Sequence, residues 1–558
     1  HSIFFLRYRG DRPPVEEAIP KAQSTQLPLL VEEAPKGSFS LIGPYVVNEE
    51  SISHFLLHLR ALRRRPLAAE ELAKEFGPAP VDNVAHKMVN ALYNRLEECL
   101  TAPGDAFPQV KTLYEEWKRI FGIVYGQELV KAQRDANALA RLYHVTESTD
   151  LKPLLFAVHT YYALLMKLLA AELLSLQQGA LMASIAEQLP AMPGEQLRSR
   201  LGELEKGSWF EAQGIRNFLE ADFFGWYVGA WNADIDDAVR SFARALAEYE
   251  PATATLNPEA TRDLLKKLYQ YLVPRELRHD LGEYYTPDWL AELVLNEVGY
   301  TGNPSERLLD PACGSGTFLV LAIRRALDFK DSLTWRTRER EFVAQILENV
   351  VGFDLNPLAV IAARTNYLLA LGPLARHLAG KDIPVYLCDS ILTPQTQRDR
   401  ERPIEHQKDI PVPSAQKEFW IPEELVDKGQ VDALCRLLEQ CVAGKYQTEE
   451  FLARGQRELK WEDPLTERSL AELYGKVRRL EAEGRNGLWA RLIKNAFAPV
   501  FRAAPPFDYV VGNPPWVNWE SLADDYREAT KELWQRYGLF SHKGLRARLG
   551  TAKDDISI

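Results

Sequence analysis

The chain is poor in cysteine, and the few it has are not arranged for a metal or a disulfide framework. Cys99, Cys313, Cys388, Cys435 and Cys441 include no CxxC pair, which excludes the usual zinc spacings and fits a reducing, cytoplasmic compartment. No metal is expected. Positive charge is also lacking, since the formal net charge is -11. That argues against nonspecific coating of nucleic acid. It leaves a DNA enzyme open, because binding needs only a local basic face. Arg63-Arg64-Arg65 and the cluster Arg336, Arg338 and Arg340 are candidate phosphate contacts, and the plainer reading of each is a solvated surface. No long apolar run is free of polar interruption. Leu154 to Leu176 contains His159, Lys167 and Glu172, so it reads as a buried helix and not as a membrane span. No internal repeat is visible, and no nuclease carboxylate cluster. The "GQELVK" at 126–131 lacks a preceding Asp on a hairpin and reads as helix surface.

What is present suits a multidomain globular protein. The chain has 558 residues, of which 46% are hydrophobic, enough to bury a sizeable core. It begins at His1 rather than Met, so it is expected to be part of a longer gene product. Residues 1–45 are rich in Pro and charge and read as an extended arm. Residues 46–262 carry apolar positions at three- and four-residue spacing, as in "HKMVNALYNRLEECL" and "LYEEWKRIFGIVYG", which predicts an all-helical domain. From 263 the texture changes to short apolar runs ending in Gly, Asp, Asn or Pro and followed by helical stretches. This predicts a doubly wound, parallel α/β sheet. Residues 326–345 are expected to form a charged helical excursion. Residues 396–420 read as a polar loop and 421–500 as helical, together a helical insertion at about 396–500.

Chemistry concentrates at the predicted strand ends. "RLLD" runs into Asp310-Pro311-Ala312-Cys313-Gly314-Ser315-Gly316-Thr317-Phe318. Gly314 and Gly316 allow a tight turn and close approach to a ligand. The third Gly of a dinucleotide fingerprint and the Lys of a P-loop are both missing, which argues against a triphosphate. Cys313 reads as a small side chain in this turn. Asp354 ends the next strand, where a carboxylate can accept bonds from two ribose hydroxyls. Asn356 is a natural N-cap and Pro357 a natural first helical residue. Asp389 ends a third strand, as an acceptor for the amino group of an adenine or as the cap of a turn. Upstream, Thr286 reads as an N-cap with Pro287 at the first helical position, and a free helix N-terminus attracts an anion. A methionine carboxylate is the natural candidate.

Asn513-Pro514-Pro515-Trp516 follows the strand "FDYVVG". The amine of adenine is conjugated with its ring, so its lone pair is a poor nucleophile. Acceptors that bind both amine hydrogens favour a tetrahedral nitrogen and free that pair. The Asn513 side-chain oxygen and the Pro514 carbonyl can be these acceptors. The prolines fix the backbone around them, so the acceptors stand ready where positive charge develops. Trp516 offers a flat face to a base rotated out of the duplex.

The order Tyr284-Tyr285-Thr286-Pro287, Asp310 to Phe318, Asp354, Asp389 and Asn513 to Trp516 resembles the gamma group of amino-methylating DNA methyltransferases, over about 265–558. The helical region ahead, with "LYEEWKRIFG" and "HTYYALLMKLLAAELLS", is similar to large type IIG-like restriction-modification or phage-defence methylases. The resemblance implies a Rossmann-like methyltransferase sheet preceded by a helical domain. It implies S-adenosylmethionine as cofactor, bound by Tyr285, Thr286, Asp310, Pro311, Ala312, Cys313, Gly314, Gly316, Thr317, Asp354, Leu355, Asp389 and Ser390. It implies catalysis at Asn513, Pro514, Pro515 and Trp516, with adenine N6 of double-stranded DNA as the target and protein partners in a defence complex. Trp516 stands where Tyr or Phe is usual, which preserves stacking. The family pattern continues with three more strands and a target-recognition domain, expected beyond Ile558; without them the chain is not expected to methylate DNA by itself. N4-cytosine methylation, methylation of a protein glutamine amide, and a noncatalytic scaffold sensing DNA or cofactor stay open as alternatives.

Overall fold

The computed structural model describes residues 2–10, 37–46, 64–79, 81–104, 106–125, 136–145, 150–178, 184–219, 223–251, 286–330, 338–378, 380–394, 402–485, 489–515 and 522–538. Among the expectations above, Tyr284, Tyr285, Trp516, Arg63, Arg336, the 126–131 segment and the boundary at 262 lie outside the described residues. Within the expected arm, β1 (Ser2–Gly10) pairs antiparallel with β2 (Gly37–Val46).

Helices dominate from 69 to 246. Helix α1 (Val84–Thr101) starts at Asn83, whose side chain accepts from the backbone of Ala85 and His86 while His86 returns the capping bond. Helix α2 (Pro108–Tyr125) and the long α3 (Leu151–Gln178) pack beside it. The 18-residue apolar window of α3 is long enough to cross a membrane, yet it is wholly buried inside the protein. Its polar side chains are placed accordingly. Lys167 pairs with Glu205, and Glu172 accepts from Ser184 Oγ at 2.8 Å and Ala186 N at 2.6 Å. His159 lies among Trp117, Phe121 and Phe224, and burial lowers its pKa to about 3, so it is neutral. After α4 (Ala233–Leu246), a short parallel pair joins β3 (Arg65–Pro66) to β4 (Tyr249–Glu250).

The carboxyl-terminal half is mixed α/β around a four-stranded parallel sheet. Its strands are β5 (Leu308–Asp310), β6 (Val350–Asp354), β7 (Val385–Leu387) and β10 (Tyr509–Val510), in the order β10-β5-β6-β7. Helices α5 (Asp288–Glu297), α6 (Thr317–Lys330), α7 (Glu339–Asn349) and α8 (Pro357–Leu371) surround it. The alternation along β6 explains why a continuous apolar run forms a strand here. Val350 joins the main core, while Val351 and Phe353 join a second cluster with Tyr386, Cys388 and Ala498 on the other face. As predicted, Asn356 caps α8 by accepting from Leu358 N at 3.0 Å, and Pro357 occupies its first position.

Two local readings differ. The polar stretch expected as a loop holds an antiparallel hairpin, β8 (Asp409–Val412) with β9 (Phe419–Pro422). Its Ile410, Val412, Phe419 and Ile421 are buried against helices 423–482. Pro411 is tolerated because a two-stranded ribbon has free edges. The helix expected to start at Pro287 begins at Asp288, with Pro287 and not Thr286 as N-cap. Proline's fixed φ suits the extended cap conformation seen there, φ -61 and ψ 141.

The helical half and the sheet share one hydrophobic core running from Leu67 to Val511. Helix α3 packs on α8. Buried Arg364 of α8 donates to Val385 O, at 3.0 and 2.7 Å, and to Phe218 O at 3.2 Å. Asn217 and Ile383 exchange two hydrogen bonds of 2.8 Å, and Ile215 bridges Lys381 just ahead of β7.

Candidate functional site

Four strand ends converge on one edge of the sheet. β5 and β6 end in Asp310 and Asp354, Asp389 lies two residues past β7, and Asn513 lies three past β10. Parallel strands point these ends the same way. The strand order reverses between β5 and β10, which leaves a crevice there.

The loop after β5 is a left-handed glycine turn, with φ of 54° at Gly314 and 86° at Gly316. A Cβ on Gly316 would also stand 3.3 Å from the Ala363 Cβ of α8, so the loop sits directly on that helix. Asp354 ties the turn to its own strand. Its Oδ2 accepts from Gly314 N at 2.8 Å and its Oδ1 from Asn356 N at 2.7 Å. The carboxylate keeps acceptor capacity beyond these backbone bonds. Cys313 is buried, its N–H donates to Phe353 O at 2.8 Å, and burial pushes its thiol far up, as expected for an inert turn residue.

Asp310 lies beneath this loop, 1% exposed. Its Oδ1 accepts from Ala312 N at 3.2 Å and would stand 2.8 Å from a Cβ on Gly512. Glycine at 512 therefore lets the Asn513 turn press against the cofactor-type loop. Burial raises the Asp310 pKa to about 8; the Ala312 bond opposes the rise and the Asp354 charge adds to it. An unfolded Asp titrates near 3.9. Between about pH 4 and 8 the folded state therefore holds a proton that the unfolded state has released, and stability falls as pH rises through that window. Asp310→Asn, which keeps the acceptor without the titration, is expected to flatten that fall, read as urea midpoints at pH 5, 6.5 and 8. Parallel pH profiles for variant and wild type would show that Asp310 is ionised in the folded protein.

A cavity of about 390 Å³ opens over the strand ends, within the usual range for small-molecule sites. Pro311, Ala312, Asp354, Leu355, Asp389, Ser390, Pro514 and Pro515, all expected from the sequence, line it together. Asp310, Cys313, Gly314, Gly316, Thr317, Thr286 and Asn513 are not on its lining; Asp310, Cys313, Gly316 and Thr286 are buried, the others half-buried. Asp389 caps a turn as well as lining the cavity. Its Oδ1 accepts from Ile391 N and Leu392 N, both at 2.8 Å, and from the Tyr526 hydroxyl at 3.2 Å. Burial raises the pKa of Asp389 against these bonds, and burial likewise raises that of Asp354. Among the described residues, the lining holds two carboxylates and no basic side chain. Such a site disfavours phosphates and suits a ligand that carries positive charge, hydroxyls and an amine.

Sequence reasoning missed Ile123, Cys388, Ile391, Leu522 and Tyr526 on this lining. Cys388 and Ile391 flank Asp389 and were within reach of the motif. Ile123 belongs to α2, hundreds of residues upstream, and gave no signal beyond helical periodicity.

Residues 260–405 match the family model described as N-6 DNA Methylase, and residues 348–549 match that of the Eco57I restriction-modification methylase. The adenine-specific methyltransferase PglX of Streptomyces coelicolor is 33% identical over 114 residues, 19% of this chain and 9% of that protein. The type I restriction enzyme MjaVIII methylase subunit of Methanocaldococcus jannaschii is 28% identical over 141 residues, 25% of this chain and 20% of that one. The matched segments thus span a fifth or less of these two relatives. The cryo-EM structure of a DrdV–DNA complex aligns over 56% of this chain and 26% of that chain, at 14% identity and a TM-score of 0.24, too low to bear on the fold.

Proposed function

We propose, from the match of residues 260–549 to N-6 DNA methylase and Eco57I restriction-modification methylase domains, that this chain methylates the N6 amine of adenine in DNA with S-adenosylmethionine as donor, in a restriction-modification or phage-defence system. The observation that carries the reading is the acid-lined cavity at the strand ends beside the Asn513-Pro514-Pro515 turn. When bound, S-adenosylmethionine supplies an electrophilic methyl group on a sulfonium. The residues present fit it. Asp354 offers an acceptor for ribose hydroxyls, Asp389 offers Oδ2 for an adenine amine, and no basic group among the described lining residues opposes a cation there. Pro514 and Pro515 border the same cavity, so the turn that would grip the target amine adjoins the donor. Asn513 Oδ1 and the Pro514 carbonyl would take the two amine hydrogens and leave the nitrogen lone pair directed away from them.

The test is incubation of the complete protein with unmethylated double-stranded DNA and methyl-tritiated S-adenosylmethionine, followed by nucleoside analysis. Label is expected in N6-methyladenine. Label in N4-methylcytosine would overturn the adenine assignment, and label confined to protein would overturn DNA as the substrate.

A further inference from the structure

We infer that Ile123 and Tyr526, from opposite ends of the chain, clamp the purine end of the cofactor cavity, and that the Tyr526 hydroxyl positions Asp389 as its amine acceptor. This rests on the S-adenosylmethionine reading above. Tyr526 sits in the first turn of α9 (Asp524–Arg536) and is buried. Its hydroxyl falls on the same Asp389 oxygen as the two turn N–H groups. Oδ2 takes none of these bonds, so the turn and the tyrosine hold the carboxylate in one orientation and leave one oxygen for a ligand.

Ile123 reaches the same place from α2. It packs with Leu522, Tyr526 and Trp534 in a small cluster separate from the main core. A second chamber of about 120 Å³ shares Ile123, Leu355, Cys388, Asp389 and Tyr526 with the main cavity. Ile123 and Tyr526 therefore stand with Asp389 at the junction of the two spaces. An aromatic amine bonded to Asp389 lies within reach of both apolar side chains, which exclude water from that bond and strengthen it. Helix α2 is itself anchored, because Glu116 accepts from the Ala415 N–H in the β8–β9 hairpin. The upstream helical region thereby forms one wall of the cofactor site.

The groups facing Asp389 are the Tyr526 hydroxyl, the buried Cys388 thiol beside it, Asp354 across the cavity and Arg119 of α2 across the second chamber. Loss of the Tyr526 hydroxyl removes a bond that favours the ionised carboxyl, so Asp389 should take up its proton at a higher pH. Calorimetric titration of the full chain with S-adenosylmethionine between pH 5.5 and 8 reads this. Ile123→Ala and Tyr526→Ala are expected to weaken binding roughly tenfold at pH 8. Tyr526→Phe keeps the ring; it should bind nearly normally at pH 8 and lose affinity at a higher pH than wild type as the solution is acidified. Wild type that binds no cofactor would sink the underlying reading. Wild type that binds, with all three variants within twofold of it and parallel pH profiles, would overturn the clamp alone.

Discussion

In the complete protein, Asn513→Ala is expected to lower methyl transfer by at least about a hundredfold while leaving S-adenosylmethionine affinity within about twofold of wild type. The asymmetry follows from position. Asn513 is half-buried in the turn beyond β10 and off the lining of the cavity over the strand ends, whereas Pro514 and Pro515 are on it. Its amide would meet the target amine and not the donor. Removing one preorganised polar contact to developing charge typically costs 10²–10³ in rate. Single-turnover transfer on DNA together with calorimetry separates the two quantities. Transfer near the wild-type rate would remove Asn513 from the chemistry. Loss of affinity with an unchanged single-turnover rate would move it to the cofactor side.

Asp354→Ala is expected to fail in the opposite sense, with cofactor affinity falling by about a hundredfold or more. A hydrogen bond to a charged group contributes about 1.5–3 kcal/mol, and two ribose hydroxyls would meet this carboxylate. The same substitution also frees the Gly314 and Asn356 N–H groups that Asp354 now holds at 2.8 and 2.7 Å. The glycine turn thus loses its tether when the ligand loses its acceptor. Asp354→Asn separates these effects, because the amide oxygen can keep one N–H bond while charge is lost. An alanine variant that binds as tightly as wild type would take the ribose contact away from Asp354.

The parts of the site that were legible in the sequence depend on short-range chemistry. Gly314 and Gly316 are needed for a left-handed turn wherever the rest of the chain goes, and Asn356-Pro357 starts a helix by local rules alone. Short apolar runs ending in Asp or Asn, alternating with helical stretches, implied a parallel sheet with its chemistry on one edge. What escaped notice was tertiary. The register of the β8–β9 hairpin rests on four alternating apolar residues in a Pro-rich stretch, too few to distinguish from a loop. The one-residue offset at Pro287 is a choice between two adjacent cap positions, which local sequence alone does not separate. Ile123 looked like any residue on the apolar face of a helix, because its partners, Leu522 and Tyr526, lie about 400 residues downstream.

The seam between Asn217 and Ile383 bears on how the chain reaches this state. Its two hydrogen bonds join residues 166 apart, and the Ile215–Lys381 bridge and the Arg364 bond to Phe218 close the same interval. On a ribosome the helices up to residue 246 emerge first, with an edge whose partners have not been translated. They must wait, with apolar surface open to chaperones, until β7 leaves the exit tunnel. Contacts of such long sequence separation make folding slow and late-committing. An arrested nascent chain ending before residue 380 should therefore remain sensitive to protease across its helical half, and one that extends past β7 should gain protection in a single step.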